Sequence, residues 1–245
     1  MKKARKFLHW RKLGLALIVA FGLYAYCRPP SEHEIRASVV RITSDKGLCS
    51  GEQIEGPSGQ VYILTASHCR PLINSDGAYL VTTEDGRQLE RREIQEDPYS
   101  DILLIEGIPG LPALKIADLA PIKEMHVRTF THGARMDTYK TEGELIQKAH
   151  VEAPIAEIVS DQGLDYCKSM PKYKVVAIED WSNENHVLCV LSVDETATTA
   201  KIVPGSSGGP AVDDSGRLIG VVSAGDGVFG YLVNLEDIRA FLKSY

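Results

Sequence analysis

A serine set among glycines near the C-terminus restricts the fold more than any other feature of the chain, because it predicts a tight turn with exposed backbone amides. Residues 204–210 read PGSSGGP. Glycine adopts backbone conformations that other residues resist, so such a turn can direct the N–H groups of Gly205 and Ser207 at one point. Ser207 is therefore a candidate nucleophile with an oxyanion hole beside it, although Gly-Ser turns are also common in ordinary loops.

Two other segments supply the partners that a serine nucleophile needs. His68 follows the apolar run 61–64, and Asp101 directly precedes the apolar run 102–105. A serine hydroxyl becomes nucleophilic when an imidazole takes its proton, and a buried carboxylate orients that imidazole and stabilises its charged form. The chain therefore contains a general base, an orienting carboxylate and a nucleophile, in the order His, Asp, Ser.

These three segments resemble those of the chymotrypsin-like serine proteases. Residues 65–69 (TASHC) are similar to the Thr-Ala-Ala-His-Cys of that family, 101–104 (DILL) to its Asp-Ile-Ala-Leu, and 205–210 (GSSGGP) to its Gly-x-Ser-Gly-Gly-Pro. The surrounding residues are most similar to the bacterial high-temperature-requirement and glutamyl-endopeptidase branches. The resemblance covers about residues 37–243. It implies hydrolysis of a protein or peptide substrate without a cofactor.

The resemblance also assigns residues to substrate binding. Ser223 would donate a hydrogen bond to Asp101, and Ala224 and Gly225 would pair with the substrate backbone by strand addition. Gly230 would lie on the next strand, behind the specificity pocket. Because the chain ends soon after that strand, we expect it to lack the peptide-binding domain that follows in the high-temperature-requirement branch.

Lys201 stands six residues before Ser207. In the resembling family this position can form the floor of the specificity pocket, where an inward ammonium would favour acidic side chains. A lysine whose ammonium reaches solvent is the alternative. Val222 stands where glutamyl endopeptidases have a histidine, which weakens an acid-specific interpretation.

Short apolar runs predict a mostly β structure. They are rich in β-branched residues and are bounded by Gly, Asp, Pro or Ser, which favours strands over helices. The clearest of them lie at 38–42, 61–64, 102–105, 187–191 and 218–222. With the resemblance, they predict an all-β fold of two six-stranded antiparallel barrels packed side by side, with a C-terminal helix and a preceding N-terminal apolar helix.

The barrels are expected at about 37–106 and 122–233, joined by a Pro- and Gly-rich seam at 107–121. The region 138–199 matches the family least. The closing helix is expected over 234–243, with Asn234 as its N-cap. Its apolar positions recur on one helical face and are expected to be buried: Leu235, Ile238, Phe241 and Leu242.

Charge divides the chain into an N-terminal segment, 1–28, and a protease-like domain, 29–245. Seven of the 27 basic residues and no acidic residue lie in the first segment, so the domain carries 20 basic and 33 acidic residues, a net charge of −13. An acidic domain of this kind repels polyanions, which argues against a nucleic-acid partner.

The N-terminal segment predicts export. Its basic residues precede an apolar run of 15 residues, 13–27. That length is typical of a signal peptide, but the cleavage pattern around Ala25 is poor. A membrane anchor with Trp10 and Tyr26 near the interfaces is the alternative, and the positive flank predicts an N-terminus inside the cell in both cases.

The five cysteines agree with an exported domain. In the resembling family a strand cysteine pairs with the one beside the catalytic histidine, which implies a Cys49–Cys69 disulfide. Cys167 and Cys189 are expected to form a second pair, leaving Cys27 in the apolar segment. A zinc site is the competing interpretation, but no Cys-x-x-Cys or His-x-x-x-His spacing occurs.

These features predict an exported serine endopeptidase that works through an acyl-enzyme, with Ser207 as nucleophile, His68 as base and then acid, and Asp101 as the orienting group. A catalytically silent homologue, acting as a membrane-tethered binding module with the same fold, is the alternative. An intact set of three separated motifs favours the enzyme.

Activation is expected to need no cleavage. Digestive members of the family have an aspartate immediately before the nucleophile, and a newly cut N-terminal amine pairs with it. Ser206 stands at that position here. A neutral hydroxyl cannot offset the burial of an ammonium, so we expect local hydrogen bonds of the 204–207 turn to shape the oxyanion hole.

Overall fold

Strands dominate the chain, as the sequence predicts. The computed structural model describes residues 28–44, 47–72, 77–133, 137–157, 164–165, 167–168, 173–179 and 185–244. Within these residues the strands form two closed six-stranded antiparallel barrels, which belong to one compact unit spanning residues 31–245. The predicted fold class is confirmed.

The first barrel uses the N-terminal half of that unit. Its strands are β1 (Val39–Ser44), β2 (Gly47–Glu55), β3 (Val61–Thr65), β4 (Ala78–Thr83), β5 (Gln88–Asp97) and β6 (Ile102–Glu106). Their order around the barrel is β1-β2-β3-β6-β5-β4, and the pairing of β1 with β4 closes it. Every pairing is antiparallel, and four of the six join consecutive strands, which short turns can connect.

The second barrel follows the same plan, and two of its strands are longer than any in the first. They are β7 (His126–Thr131), β8 (Tyr139–Glu157), β9 (Tyr173–Glu179), β10 (Asn185–Thr198), β11 (Pro210–Val212), β12 (Leu218–Gly225) and β13 (Gly230–Asn234). The sheet order is β13-β12-β11-β7-β8-β10-β9, and β10 also pairs with β13 to close six of the seven strands. β9 pairs with β10 on the part that extends past the barrel.

Strand β6 shows why one apolar run is unbroken. Ile102 and Leu104 belong to the core between the barrels, whereas Leu103 and Ile105 belong to the interior of the first barrel. Adjacent residues of a strand face opposite sides, and here both sides are buried, so all four are 0% exposed. Asp101, directly before this strand, is drawn into the same buried surroundings.

A short helix, α1 (Glu32–Ser38), leads into β1 and was not predicted. Ser31 caps it: the backbone N–H of Glu34 donates to Ser31 Oγ at 3.3 Å, and the Ser31 N–H donates to Glu34 Oε2 at 2.7 Å. The Ser-x-x-Glu spacing of a capping box is readable from the sequence and could have located this helix.

The C-terminal helix, α2 (Leu235–Ser244), buries the predicted face. It begins one residue later than predicted, because Asn234 ends β13. The Asn234 side chain accepts a hydrogen bond from Thr196 Oγ1 at 2.7 Å and donates to the Asp194 carbonyl at 2.9 Å, so it ties β13 to β10 at the helix start. The buried residues are Leu235, Ile238, Phe241 and Leu242.

The seam between the barrels is irregular but fixed by Gln53 of β2. The buried Gln53 amide donates to the Leu111 carbonyl at 2.7 Å and accepts from the Ile108 N–H at 2.6 Å. Farther along, Ile54 forms a single bridge with Leu114. The connection is therefore held against the first barrel although it contains no regular element.

Both predicted disulfides are present, with Cα–Cα distances of 6.2 Å for Cys49–Cys69 and 5.7 Å for Cys167–Cys189. Cys27 and the apolar run 13–27 lie outside the described residues, as does the predicted N-terminal helix. None of the helices formed by the described residues has the length and apolar composition that crossing a bilayer requires.

Candidate active site

Asp101 is fixed in an uncommon backbone conformation. Its φ of 56° lies in the left-handed region, which aspartate tolerates better than most residues. Its carboxylate accepts hydrogen bonds from the His68 N–H at 2.9 Å and from Ser223 Oγ at 3.0 Å. The Ser67 N–H donates to the Asp101 carbonyl at 3.2 Å. These contacts direct a carboxylate that is almost fully buried toward the His68 ring.

The His68 side chain is largely buried and belongs to the 3-10 helix Ser67–Leu72, which follows β3. Its Nδ1 is 2.9 Å from Asp101 Oδ2 and 3.1 Å from Oδ1. Burial lowers the pKa of the imidazole, but the charge and hydrogen bond of Asp101 raise it by more, and the buried carboxylate of Glu195 adds to the increase. The pKa therefore lies above 6.5, and the Nδ1–H···Asp101 tautomer leaves Nε2 as an acceptor.

The turn that carries Ser207 fits only because it contains glycine. Gly208 has a φ of 84°. A Cβ on it would lie 2.0 Å from Thr65 Oγ1 and 2.2 Å from the Ser50 carbonyl oxygen. The Ser50 N–H donates to the Ser207 carbonyl at 2.8 Å, so strand β2 of the first barrel holds the turn of the second.

The hydroxyl of Ser207 donates to the Ser223 carbonyl at 2.9 Å. Within the described part of the chain, it forms no hydrogen bond with His68. Ser223 in turn donates to Asp101 through its own hydroxyl, so hydrogen bonds connect His68, Asp101, Ser223 and Ser207 in sequence. The predicted site residues are thus brought together, with the Ser207 side chain turned toward Ser223.

Along the turn, backbone N–H groups that donate a hydrogen bond alternate with N–H groups for which the described residues provide no acceptor. The Ser206 N–H donates to the Val203 carbonyl at 3.0 Å, and the Gly208 N–H donates to the Val222 carbonyl at 2.6 Å. Among the described residues, the N–H groups of Gly205 and Ser207 meet no acceptor, and Gly205 has a φ of 90°. Two open donors beside one hydroxyl can stabilise an oxyanion.

Side-chain hydroxyl groups support this turn from behind. The buried Ser206 Oγ shares hydrogen bonds with Thr131 Oγ1, at 3.0 Å, and with the Tyr139 hydroxyl. Ser50 Oγ donates to the Gly205 carbonyl at 2.9 Å. The sequence does not predict roles for Ser50, Thr131 or Tyr139, because these contacts join residues 67 to 155 positions apart in the chain.

Beyond Ser223, whose carbonyl accepts from Ser207 Oγ, no strand of the described residues pairs with the second edge of β12. Ala224 and Gly225 pair with β13 on their other edge, and β11 pairs only with residues up to Val221. An extended peptide could therefore add to this edge. Gly230, on β13, is the cross-strand partner of Gly225.

Lys201 is exposed, and the side chain that lies between Gly225 and Gly230 is that of Ile202. The solvent-facing alternative for Lys201 therefore describes its position better than a pocket floor. Ile202 was missed because only the register of β12 and β13 brings these two glycines together. Within the described residues, no cluster of three or more His, Cys, Asp or Glu side chains could hold a metal ion.

The sequence matches the model of a known protein family. A model of the trypsin-like peptidase domain matches residues 47–221, which include all three candidate segments. The chain belongs to the trypsin-like peptidase family. It is accordingly a serine-type endopeptidase. No curated protein sequence matches the chain.

Solved structures agree on the fold. A serine-to-alanine mutant of Rv3671c from M. tuberculosis H37Rv, in an inactive form, is 19% identical with a TM-score of 0.60, covering 90% of this chain and 92% of that one. The active form of the Rv3671c protease is 18% identical with a TM-score of 0.60, covering 88% and 87%. The serine endoprotease from Yersinia pestis is 18% identical with a TM-score of 0.58, covering 88% and 66%.

Proposed function

We propose that the protein is an exported endopeptidase that cleaves peptide bonds through an acyl-enzyme, with Ser207 as nucleophile, His68 as general base and acid, and Asp101 as the orienting group. The observation that carries the proposal is the hydrogen-bonded connection from His68 through Asp101 and Ser223 to Ser207, beside two open backbone donors. No other part of the described chain combines a buried His–Asp pair with such a turn.

The first half of the reaction forms the acyl-enzyme. Rotation about χ1 moves the Ser207 hydroxyl from the Ser223 carbonyl toward His68 Nε2. Ser207 Oγ then bonds to the substrate carbonyl carbon while its proton passes to Nε2. The N–H groups of Gly205 and Ser207 hold the oxyanion, and Asp101 stabilises the imidazolium. When the C–N bond breaks, His68 gives the proton to the leaving amine.

The second half repeats the proton transfers with water. His68 takes a proton from water as the oxygen attacks the acyl carbon, and the same oxyanion donors act again. Collapse of this intermediate breaks the bond to Ser207 Oγ, to which His68 returns the proton. The products are a free carboxylic acid and the restored enzyme. The raised pKa of His68 suits it to hold the proton between these steps.

The open edge of β12 orients the substrate. A peptide paired with Ala224 and Gly225 in an antiparallel arrangement would carry its backbone past Ser207. Main-chain hydrogen bonds of this kind bind many sequences, so selectivity has to come from pockets for particular side chains.

Hydrogen bonds between the turn and other strands of the domain replace an inserted N-terminus in this proposal. The Ser206 hydroxyl is already bonded to Thr131 and Tyr139, which supports a turn formed without cleavage. Protein expressed behind an uncleavable N-terminal tag is expected to titrate as fully active. Activity that appears only after an internal bond is cut would contradict this part of the proposal.

Export is supported by the two disulfides, since such bonds persist in oxidising compartments and are rare in reducing ones. The basic and apolar N-terminal segment agrees, whether it is a cleaved signal or a retained anchor. Fractionation of cells that produce the full chain, followed by non-reducing mass mapping, tests this. Free thiols at Cys49 and Cys69 in active protein would contradict it.

A fluorophosphonate probe tests the nucleophile. Such probes react with a serine that is activated by a neighbouring base. The wild-type protein is expected to be labelled and the Ser207→Ala variant is not. Ser215→Ala, which removes an exposed serine in the turn at 213–217, is the control and is expected to label normally. Labelling that survives Ser207→Ala would overturn the assignment, and a folded wild type that resists labelling would instead favour the silent homologue.

A further inference from the structure

Two glycines on paired strands leave a space without side chains of their own, which we call the gap. Gly225 and Gly230 are opposite each other on β12 and β13. On the other side of the gap, residues 202–205 lead into Ser207. In the proposed reaction, the scissile carbonyl points at the N–H groups of Gly205 and Ser207. The side chain of the residue that owns this carbonyl is then directed between the two chain segments.

Ile202 occupies the depth of this gap. A Cβ placed on Gly230 would lie 2.4 Å from Ile202 Cγ1, and one on Gly225 would lie 2.9 Å from Ile202 Cβ. Both distances are shorter than carbon atoms allow. The isoleucine therefore fills the room that the two glycines leave, and little remains for a substrate side chain.

Ile202 is also anchored. It packs against the core cluster of the second barrel, which includes Ala200, Val222 and Leu232. Swinging the side chain out to admit a large group would remove apolar contacts and expose apolar surface to water, which is unfavourable. The end of the gap is thus a fixed apolar wall.

The charged residues next in sequence to Ile202 and Gly225 are not placed to serve the gap. Lys201 is exposed. The Asp226 carboxylate is used inside its own turn, where it accepts from the Val228 N–H at 2.8 Å, the Phe229 N–H at 2.7 Å and the Tyr231 hydroxyl at 2.7 Å. A charged substrate side chain would therefore lose water without gaining an opposite charge from either of these two residues.

We infer that Ile202 is the specificity-determining residue of this site and limits cleavage to peptides with a small uncharged side chain, such as glycine, alanine or serine, at the residue that supplies the scissile carbonyl. This inference rests on the proposed function and names its substrate class. It also excludes the acid-specific use of Lys201.

Peptide p-nitroanilides that differ only in the residue before the nitroanilide test the inference. With alanine, leucine, phenylalanine, lysine or glutamate at that residue, kcat/KM is expected to be highest for alanine and lower by roughly tenfold or more for each of the others. The Ile202→Ala variant is expected to raise the leucine and phenylalanine values roughly tenfold or more relative to alanine. Ile202→Val, which removes one methylene, should shift the same ratio less.

Leu119→Ala is the matched control, because it shortens an aliphatic side chain that is 81% exposed on the connection between the barrels. The order of substrates is expected to stay unchanged in it. Wild-type preference for phenylalanine, or an unchanged ratio in both Ile202 variants, would overturn the inference. A preference for glutamate that Lys201→Ala removes would overturn it in favour of Lys201.

The role of Ile202 and the proposed function are contradicted by different results. A protein that reacts with the fluorophosphonate probe but prefers a large or charged residue contradicts the role of Ile202 alone. A folded protein that neither reacts with the probe nor cleaves any substrate of the series contradicts the proposed function, and the inference with it. If Ile202→Ala does not fold, the wild-type order and the Ile202→Val shift decide the question.

Discussion

Among the residues that the structure describes, two groups combine a serine, a histidine and an aspartate, and they differ in their surroundings. On strands β8 and β10, His150 Nδ1 lies 2.9 Å from Asp194 Oδ1, and its Nε2 lies 3.1 Å from Ser192 Oγ. By distance alone this exposed group is more complete than the buried one, in which the Ser207 hydroxyl is bonded to Ser223.

Burial separates the two groups. The side chains of His150 and Asp194 are 57% and 80% exposed, whereas those of His68 and Asp101 are 13% and 1% exposed. Water screens the charge of an exposed carboxylate, so it orients and polarises an imidazole weakly. Interatomic distances alone therefore do not identify a catalytic group. The carboxylate must also be buried away from solvent.

The backbone separates them as well. Ser192 lies within a strand, opposite Glu152 in the ladder. Ser207 lies in a turn in which, among the described residues, the N–H groups of Gly205 and Ser207 meet no acceptor. A tetrahedral intermediate on Ser192 would find no pair of donors prepared for it, and such donors contribute much of the rate acceleration in acyl transfer.

Substitution of the two histidines should give the largest difference in activity between the two groups. His68→Ala should lower kcat/KM for a peptide ester by several orders of magnitude, since catalysis would then rest on the oxyanion donors and binding alone. His150→Ala should leave it within about twofold, as for other exposed positions. Steady-state hydrolysis by both variants measures this. Equal losses would mean that the exposed group takes part in the reaction.

Substitution of the two aspartates should change activity in the same order as substitution of the histidines. Asp101→Asn is expected to lower kcat by about ten-thousand-fold, and Asp194→Asn to have little effect. In the wild type, kcat/KM should rise with pH through the pKa of His68, above 6.5, because the base must be neutral.

The Asp101→Asn variant should also shift that profile. Without the carboxylate, burial lowers the pKa of His68 and only the smaller attraction of Glu195 opposes it, so the residual activity should reach its plateau at lower pH. Hydrolysis followed across pH 4 to about 9 checks the direction. A profile that moves to higher pH would contradict the stated causes of the shift.

One disulfide, Cys49–Cys69, adjoins His68, and the other, Cys167–Cys189, includes a residue of β10, the strand of Asp194. Removing each disulfide in turn should separate effects on stability from effects on activity. The bridged cysteines are 20 and 22 residues apart, so loop entropy predicts a similar loss of about 3 kcal/mol in the free energy of unfolding for each pair. Replacing Cys49 and Cys69 by serine should also reduce kcat/KM, because Cys69 adjoins His68. Replacing Cys167 and Cys189 should not. Denaturant unfolding and hydrolysis assays on both double variants distinguish these outcomes, and equal activity would be evidence against this role of Cys49–Cys69.

Ser206→Ala has the smallest expected effect. It removes a buried hydroxyl that bonds to Thr131 and Tyr139, which should lower the free energy of unfolding by about 1–2 kcal/mol. It should also reduce the fraction of sites that titrate as active. Ser192→Ala, at the exposed group, should change stability by less than about 0.5 kcal/mol. A Ser206 variant with unchanged stability and titration would show that the turn forms without this network.

Much of the fold was predictable because local patterns determine it. The unbroken run at 102–105 is buried on both sides of one strand, and the periodic apolar residues of α2 form one buried face. The segments around His68, Asp101 and Ser207 are recognisable because each chemical role needs a particular residue type in a short context.

Contacts set by the register of distant strands were not predictable. Ile202 meets Gly225 and Gly230 only because β12 and β13 pair as they do, with a bulge between Val222 and Ala224. The bonds from Tyr139 to Ser206 likewise depend on where two strands of the second barrel begin. The same limit applies to the exposed Ser–His–Asp group, which no sequence motif announces.

Mapping the residue that the fluorophosphonate modifies in the wild-type protein tests the central claim most directly. Digestion of labelled protein followed by tandem mass spectrometry should find one adduct per chain, on Ser207. The peptide that contains Ser192 should be unmodified, although its hydroxyl already contacts a histidine. An adduct on Ser192, or on both serines to a similar extent, would contradict the claim that a buried His–Asp pair and open backbone donors define the active site.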